Sequence, residues 1–202
     1  YGGSGGSFLD LCVLLEEAGR ALLPGPLFSD VVLGGLTLLD AGSPGQKREI
    51  LPKVVSGETI LTLAVTEPSG RWDAEGVNDL RAAKSSRGHT LKGTKLFVQN
   101  ANVSDTLLVA ARTRTSQKPE QGVSLFLTPA RARGVTQTLL KTIASDKQSE
   151  VTFTNVEVPD DAVLGKLNQG WPVVHRAIQR AAAAKCVEMI GGAQQVLDMT
   201  VD

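Results

Sequence analysis

Cysteine is nearly absent from this sequence. Only Cys12 and Cys186 occur among its 202 residues, and both fall within apolar patterns typical of helices. Neither residue belongs to a CxxC or Cys-His spacing, so the sequence predicts no metal site. We expect both to be buried free thiols in a reducing compartment, where disulfides are rare.

The chain also lacks net charge and long apolar runs. Its 21 basic residues balance 21 acidic ones, so no long-range field favours nucleic acid or an anionic membrane as a partner. No apolar run approaches the roughly 20 residues that a membrane-spanning helix needs, and no secretory signal opens the chain. We therefore expect a globular protein of the cytoplasm that binds any anionic ligand through local geometry.

Most catalytic motifs are missing as well. There is no G-x-S-x-G, no cysteine with a plausible histidine partner and no phosphate-binding loop with its lysine. His89 and His175 are the two histidines, and we expect neither to be catalytic, because His89 falls in a predicted hairpin turn and His175 on the polar side of a helix.

The first part of the chain has helical patterns. Apolar residues over 7–22 recur at helical spacing after Ser7, a residue suited to cap a helix. An apolar stretch over 31–39 predicts a short helix buried on most sides. A third helix is predicted from Ser43 to the region of Gly57, with Pro44 at the first position and Gln46 at the capping-box spacing.

The pattern changes after residue 59 to short β-rich runs separated by turn residues. Such runs without intervening helices favour an antiparallel barrel or sandwich over a doubly wound sheet. The fold class is therefore α+β, with a β middle domain flanked by helices. The predicted strands cover residues 60–66, 78–84, 91–98, 106–111, 123–128, 135–139 and 151–158.

A last helical pattern follows residues 168–170. We therefore divide the chain into a helical segment (1–58), a β domain (59–166) and the start of a second helical domain (167–202). The polar residues 112–122 predict a mobile loop. Because the chain begins without methionine and ends within a helical pattern, we expect an excised piece of a longer protein.

Three segments, taken together, resemble a known family. Residues 63–73 read LAVTEPSGRWD, residues 91–101 read LKGTKLFVQNA, and residues 153–159 read FTNVEVP before VLG at 163–165. In this order and spacing they resemble the flavin-contacting segments and the barrel exit of the acyl-CoA dehydrogenases. The resemblance covers nearly the whole chain and is closest to bacterial members.

The resemblance implies FAD as cofactor and names the residues that contact it. Leu63, Val65 and Thr66 would line the flavin site, with backbone groups near the last two bonded to the pyrimidine edge. Phe97 and Val98 would pack on the ring, and Gln99 would face its reactive nitrogen. Taken one motif at a time, the alternative for these residues is ordinary barrel lining.

The reaction implied is α,β-oxidation of an acyl-CoA thioester, with hydride transfer to FAD. Most members place the catalytic carboxylate beyond the residues present here, and a minority place it on the helix that here contains residues 179–182, where no acid occurs. Glu188 is further along and is expected to face elsewhere. We therefore nominate no catalytic residue and expect this piece alone to be inactive.

Substrate contacts are predicted at Trp72, Gln179 and Arg180. Arg71-Trp72 replaces a small pair common in the family, so Trp72 would shape the acyl or pantetheine channel, or simply pack at the barrel mouth. Ala182 stands where an arginine is common, and Arg180 is positioned to serve an adenosine phosphate. These departures leave room for bulky or ring-bearing acyl groups.

The resemblance also implies partners: an acyl-CoA substrate, an electron-transfer flavoprotein or similar acceptor, and a homo- or hetero-oligomer that shares FAD between subunits. A second hypothesis is a non-catalytic partner subunit of the same fold, which the departures at Arg71, Trp72 and Ala182 favour. A third is a free-standing β-barrel ligand binder, which would require the last helix to be complete.

Overall fold

The protein, described by a computed structural model over residues 1–201, combines four α-helices with eight β-strands. The helices are α1 (Phe8–Arg20), α2 (Leu36–Ala41), α3 (Pro44–Val55) and α4 (Trp171–Val201). The strands are β1 (Leu61–Ala64), β2 (Arg81–Ser85), β3 (Gly88–Gln99), β4 (Thr106–Arg112), β5 (Val123–Pro129), β6 (Val135–Leu139), β7 (Gln148–Val158) and β8 (Val163–Leu164).

Capping residues set the starts of two helices, as the sequence predicted. The Ser7 side chain accepts the Asp10 N–H while the Asp10 carboxylate accepts the Ser7 N–H, so both free donors are bonded at the start of α1. Ser43 and Gln46 make the same reciprocal pair before α3, whose first residue is Pro44. The two capping predictions are confirmed.

The helix predicted over residues 31–39 begins earlier and is wider than an α-helix. A π-helical segment, Phe28–Gly35, runs directly into α2. It packs closely on β1, because Gly34 has no side chain: an added Cβ would be 2.3 Å from Leu61 Cβ. The Asp30 carboxylate also accepts the Leu61 N–H at 2.7 Å, which fixes the segment to the start of β1.

The eight strands form one mixed sheet with the order β6-β7-β3-β2-β4-β5-β8, and β1 pairs with β4 off this path. The α+β class is confirmed, but the sheet is not closed into a barrel. The β1–β4 and β2–β4 pairs are parallel, whereas the others are antiparallel. The sequence interpretation missed β8, which is only two residues long.

Strand β4 is buried on both faces, which explains its continuous apolar run. Leu107 and Val109 belong to a core shared by the strands, including Phe126 and Phe153. Leu108 and Ala110 face a second core that the sheet shares with α2, α3 and α4. The helices thus pack on one side of the sheet, and the core shared by the strands lies on the other.

Helices α1 and α4 pack closely through glycines. A Cβ added at Gly19 would lie 1.9 Å from the Glu188 carbonyl oxygen, and one added at Gly191 would lie 1.9 Å from that of Glu16. Leu15 and Ala184 are buried in this contact.

Cys186 lies on the exposed side of α4 and Cys12 is only partly buried, so the prediction of two buried thiols is wrong for Cys186. None of the helices within residues 1–201 has the length and apolar character needed to cross a bilayer.

Candidate functional site

A cavity of about 440 Å³ lies where the chain leaves β1, between the end of β3 and the side of α4. It brings together segments that are more than a hundred residues apart in sequence. Six of the nine predicted site residues line it, namely Leu63, Val65, Thr66, Trp72, Phe97 and Gln99. The walls are completed by Phe28, Leu33, Leu96, Gln148, Ile178, Ala181, Ala182 and Lys185.

A β-bulge in β3 presents Phe97 to the cavity. Lys95 pairs with Val151 and Val98 with Ser149, so two residues of β3 face one residue of β7. Phe97 has a positive φ of 55°, a conformation that is strained for a bulky side chain. The residue is 54% exposed. The bulge therefore turns an aromatic face out of the sheet and into the cavity.

The remaining predicted cofactor residue, Val98, lies on the other face of the sheet. It is 1% exposed and packs in the core shared by the strands. Its backbone continues the bulge, but its side chain does not line the cavity.

Trp72 stands at the mouth of the cavity and is 72% exposed. It belongs to the turn after β1, where the exposed Arg71 guanidinium bonds the Asp73 carboxylate at 2.5 Å and the Glu75 carboxylate at 2.5 Å. The hydrogen bond and the charge of Arg71 lower the pKa of Asp73. Arg71 is thereby directed along the turn, and Trp72 supplies the flat surface next to the opening.

A buried ion pair lies beneath the cavity. Lys95 and Glu67 are 0% and 1% exposed, and the Lys95 ammonium is 2.7 Å from a Glu67 carboxylate oxygen. The same ammonium donates to the Val65 carbonyl at 2.9 Å. Burial is the main cause that lowers the pKa of Lys95 to about 8, against the opposing attraction of Glu67.

Two buried side chains hold the turn that carries Trp72. The Glu67 carboxylate accepts the backbone N–H groups of Asn78, Asp79 and Leu80. Arg112 donates to the carbonyls of Val77, Ala74 and Pro119. Arg112 is only 5% exposed, so the predicted mobile loop over 112–122 begins at a fixed residue. Burial lowers the pKa of the guanidinium.

Helix α4 closes the cavity with small and cationic side chains. Ala181 and Ala182 line it, and the Lys185 ammonium lies 4.1 Å from the centre of the Phe28 ring. The same ammonium bonds the Glu188 carboxylate at 2.6 Å. Glu188 faces a neighbouring cavity of about 420 Å³. Among residues 1–201, no carboxylate lines the cavity that contains Phe97.

The two predicted substrate residues on α4 do not line this cavity. Gln179 is exposed to solvent, and Arg180 bonds Asp40 of α2 at 2.9 Å. His89 and His175 also lie outside it. Within the described part of the chain, no cluster of acids, histidines or cysteines is suited to a metal ion.

Sequence reasoning missed Phe28 and Lys185 as cavity residues. Both sit on helices whose apolar patterns mark a buried face but do not show what that face covers. The only available signal was spacing: Lys185 follows Ala181 by four residues and Ile178 by seven, which places all three on one side of α4.

Two domain models of a known protein family match this chain. Residues 1–58 match the N-terminal domain of the acyl-CoA dehydrogenases, and residues 62–156 match their middle domain. These two matches cover more than half of the chain. The chain belongs to the acyl-CoA dehydrogenase family. The resemblance seen in the three sequence segments is thus confirmed.

Similar proteins act on different thioesters. The mitochondrial long-chain specific acyl-CoA dehydrogenase of Sus scrofa is 33% identical over 85% of this chain and 41% of its own length. Cyclohex-1-ene-1-carbonyl-CoA dehydrogenase of Geobacter metallireducens is 30% identical over 100% of the chain and 54% of its own length. The chain thus spans about half the length of these relatives. Butyryl-CoA dehydrogenase of Megasphaera elsdenii superposes with a TM-score of 0.89 at 25% identity, over 98% of this chain and 53% of that structure.

The lining of the cavity can be compared with the flavin ring that membership of the family implies. Its walls are mainly apolar, and Phe97 and Trp72 offer flat aromatic surfaces. Thr66 and Gln99 add polar side chains, a hydroxyl and an amide, to this lining. A few polar groups on an apolar wall suit a planar, polar-edged ligand. The residues present therefore fit FAD.

Proposed function

We propose that this chain forms the flavin and thioester site of an FAD-dependent acyl-CoA dehydrogenase. The observation that carries the proposal is the single cavity lined by Thr66, Phe97 and Gln99 from the two flavin-like segments. When bound, FAD supplies the two-electron oxidant for α,β-oxidation of an acyl-CoA thioester. An electron-transfer flavoprotein or similar acceptor, and an oligomer that completes the adenine site, belong to the same proposal.

In this proposal, the residues of the chain bind the flavin and orient it towards the thioester. The Phe97 ring packs on the flavin, and Thr66 and Gln99 bond its polar edge. Trp72 covers the opening, where it limits the width of the acyl or pantetheine channel and excludes water. Leu63 and Val65 form the apolar floor.

Among residues 1–201, the cavity wall offers no carboxylate to remove the α-proton. Because the described lining contains no carboxylate, the chain itself positions the reactants but does not carry the general base. We infer that the chain binds FAD without catalysing oxidation.

Placing a carboxylate on α4 tests this inference. Ala181 lines the cavity, so Ala181→Glu would place a base on its wall, whereas Gln179→Glu would place one on the exposed side of the same helix. Each FAD-loaded protein is mixed anaerobically with a panel of acyl-CoA thioesters, and loss of flavin colour is recorded. We expect bleaching with Ala181→Glu alone. Bleaching of the parent chain, or equal bleaching of both variants, would contradict the inference.

A non-catalytic partner subunit is the second candidate. It is favoured by the large Trp72 side chain at the mouth and by the absence of a cavity carboxylate among the described residues. This candidate predicts that FAD-loaded protein shows no spectral response to any acyl-CoA, because the channel is blocked. A perturbed flavin spectrum on addition of a thioester would favour the dehydrogenase site instead.

A further inference from the structure

We propose that Lys95 is a positioning residue that orients the Val65–Thr66 peptide so that the Thr66 amide donates a hydrogen bond to the flavin. The inference rests on the proposed function and adds a residue that does not itself line the cavity. Lys95 lies in β3 just before the bulge, whereas Val65 and Thr66 follow β1.

The geometry of the peptide links Lys95 to the cavity. The Lys95 ammonium donates to the Val65 carbonyl at 2.9 Å. In a trans peptide the carbonyl and the following N–H point in opposite directions, and none of the described peptide bonds is cis. The Thr66 N–H therefore points away from Lys95. It donates to no backbone carbonyl within residues 1–201.

Other contacts hold the rest of this peptide. The Thr66 carbonyl accepts the Leu96 N–H at 2.8 Å, which ties the segment to the bulge. The Glu67 carboxylate keeps the Lys95 ammonium in place at 2.7 Å. Without Lys95, the Val65 carbonyl would lack its donor and the peptide could rotate. A free N–H held in one direction is what an acceptor on a planar ligand requires.

Stability alone is a weak reason for this arrangement. A fully buried ion pair gains little over apolar side chains of the same volume, because both charges lose their hydration. An apolar residue at position 95 would fill the space but could not donate to Val65. The groups facing the ammonium are Glu67, Asp79 and Arg112, and of these only Glu67 contacts it.

Two variants separate positioning from stability. Lys95→Met removes the donor to the Val65 carbonyl. The double variant Glu67→Gln, Lys95→Met also removes it, but leaves no unpaired charge in the core. The side-chain oxygen of the introduced glutamine still accepts the backbone N–H groups of the turn. Val156→Ala serves as control, because Val156 is a core residue 1% exposed at the far end of β7. FAD affinity, the visible flavin spectrum and thermal unfolding are measured for each.

We expect both Lys95 variants to bind FAD about tenfold more weakly, the effect of one hydrogen bond, with an altered flavin band. Val156→Ala should lose thermal stability but keep the parent affinity and band shape. Parent-like affinity and spectrum in a folded Lys95 variant would overturn the inference, and so would equal weakening by Val156→Ala. Failure of the parent to bind FAD would instead overturn the proposed function, and this inference with it.

Discussion

At the scale of single residues, the site depends on a strained aromatic. Phe97 takes a left-handed backbone conformation that costs a side chain with a Cβ on the order of 1–2 kcal/mol, and more than half of the residue is exposed. Neither feature stabilises the fold. Strain kept at an exposed aromatic indicates a role in ligand binding.

Replacement of Phe97 by two small residues tests this role. Both Phe97→Ala and Phe97→Gly remove the ring, so FAD affinity should fall about 3- to 10-fold in each, by loss of one aromatic contact. Glycine accepts a positive φ, so Phe97→Gly should have a free energy of unfolding about 1 kcal/mol above that of Phe97→Ala. Urea unfolding and flavin titration measure the two effects. Unchanged FAD affinity in both variants would contradict the role of the ring.

At the scale of elements, helix starts were predictable and sheet irregularities were not. The capping residues Ser7 and Ser43 act through bonds to residues three positions away, so their effect is visible in the sequence. The bulge that exposes Phe97 depends on how β3 pairs with β7, some fifty residues later in the chain. The alternation of apolar and polar residues along a strand does not show such a register shift.

The close packing of α1 on α4 predicts that a side chain at Gly191 lowers the stability of the protein. Gly191→Ala would place a Cβ 1.9 Å from the Glu16 carbonyl oxygen, so the helices must separate, at a cost of about 1–3 kcal/mol. Gly45→Ala in α3 is the control, because its Cβ would meet nothing closer than 3.8 Å. That substitution should stabilise by about 0.5–1 kcal/mol. Relative to the parent, the urea midpoint should fall in Gly191→Ala and rise in Gly45→Ala. Midpoints that move in the same direction would contradict this packing.

The contact between the π-helical segment and β1 should depend on pH. Burial is the main cause that raises the pKa of Asp30, with the Asp105 charge adding to it and the Leu61 N–H opposing it. A raised folded-state pKa contributes stability that is present below about pH 4, the unfolded value, and is lost as pH rises through the folded value. Asp30→Asn keeps an acceptor for Leu61 and does not titrate.

We therefore expect Asp30→Asn to gain stability relative to the parent between about pH 4 and pH 7. Thermal unfolding of both proteins across this range measures the difference. A difference that stays constant, or that shrinks towards neutral pH, would contradict the buried position of the Asp30 carboxylate.

At the scale of the whole molecule, the sequence predicted the class of the fold and six of the residues that line the cavity, but not the wall opposite them. Thr66, Phe97 and Gln99 were named because they belong to segments with recognisable order. Phe28 and Lys185 meet them only after the π-helical segment and α4 pack against the sheet. Gln179 and Arg180 share the helix with the true wall residues but face solvent and Asp40, a difference of rotation that the apolar pattern did not resolve.

The visible absorption spectrum of the protein, after incubation with FAD and removal of the unbound dye, tests whether the cavity binds the flavin. It is recorded for the parent, for Ala182→Trp, which fills the cavity from α4, and for Ala183→Trp, which adds the same side chain on an exposed position outside the cavity. We expect a retained flavin band in the parent and in Ala183→Trp, and its loss in Ala182→Trp. A colourless parent at high FAD, or a band that survives Ala182→Trp unchanged, would contradict it.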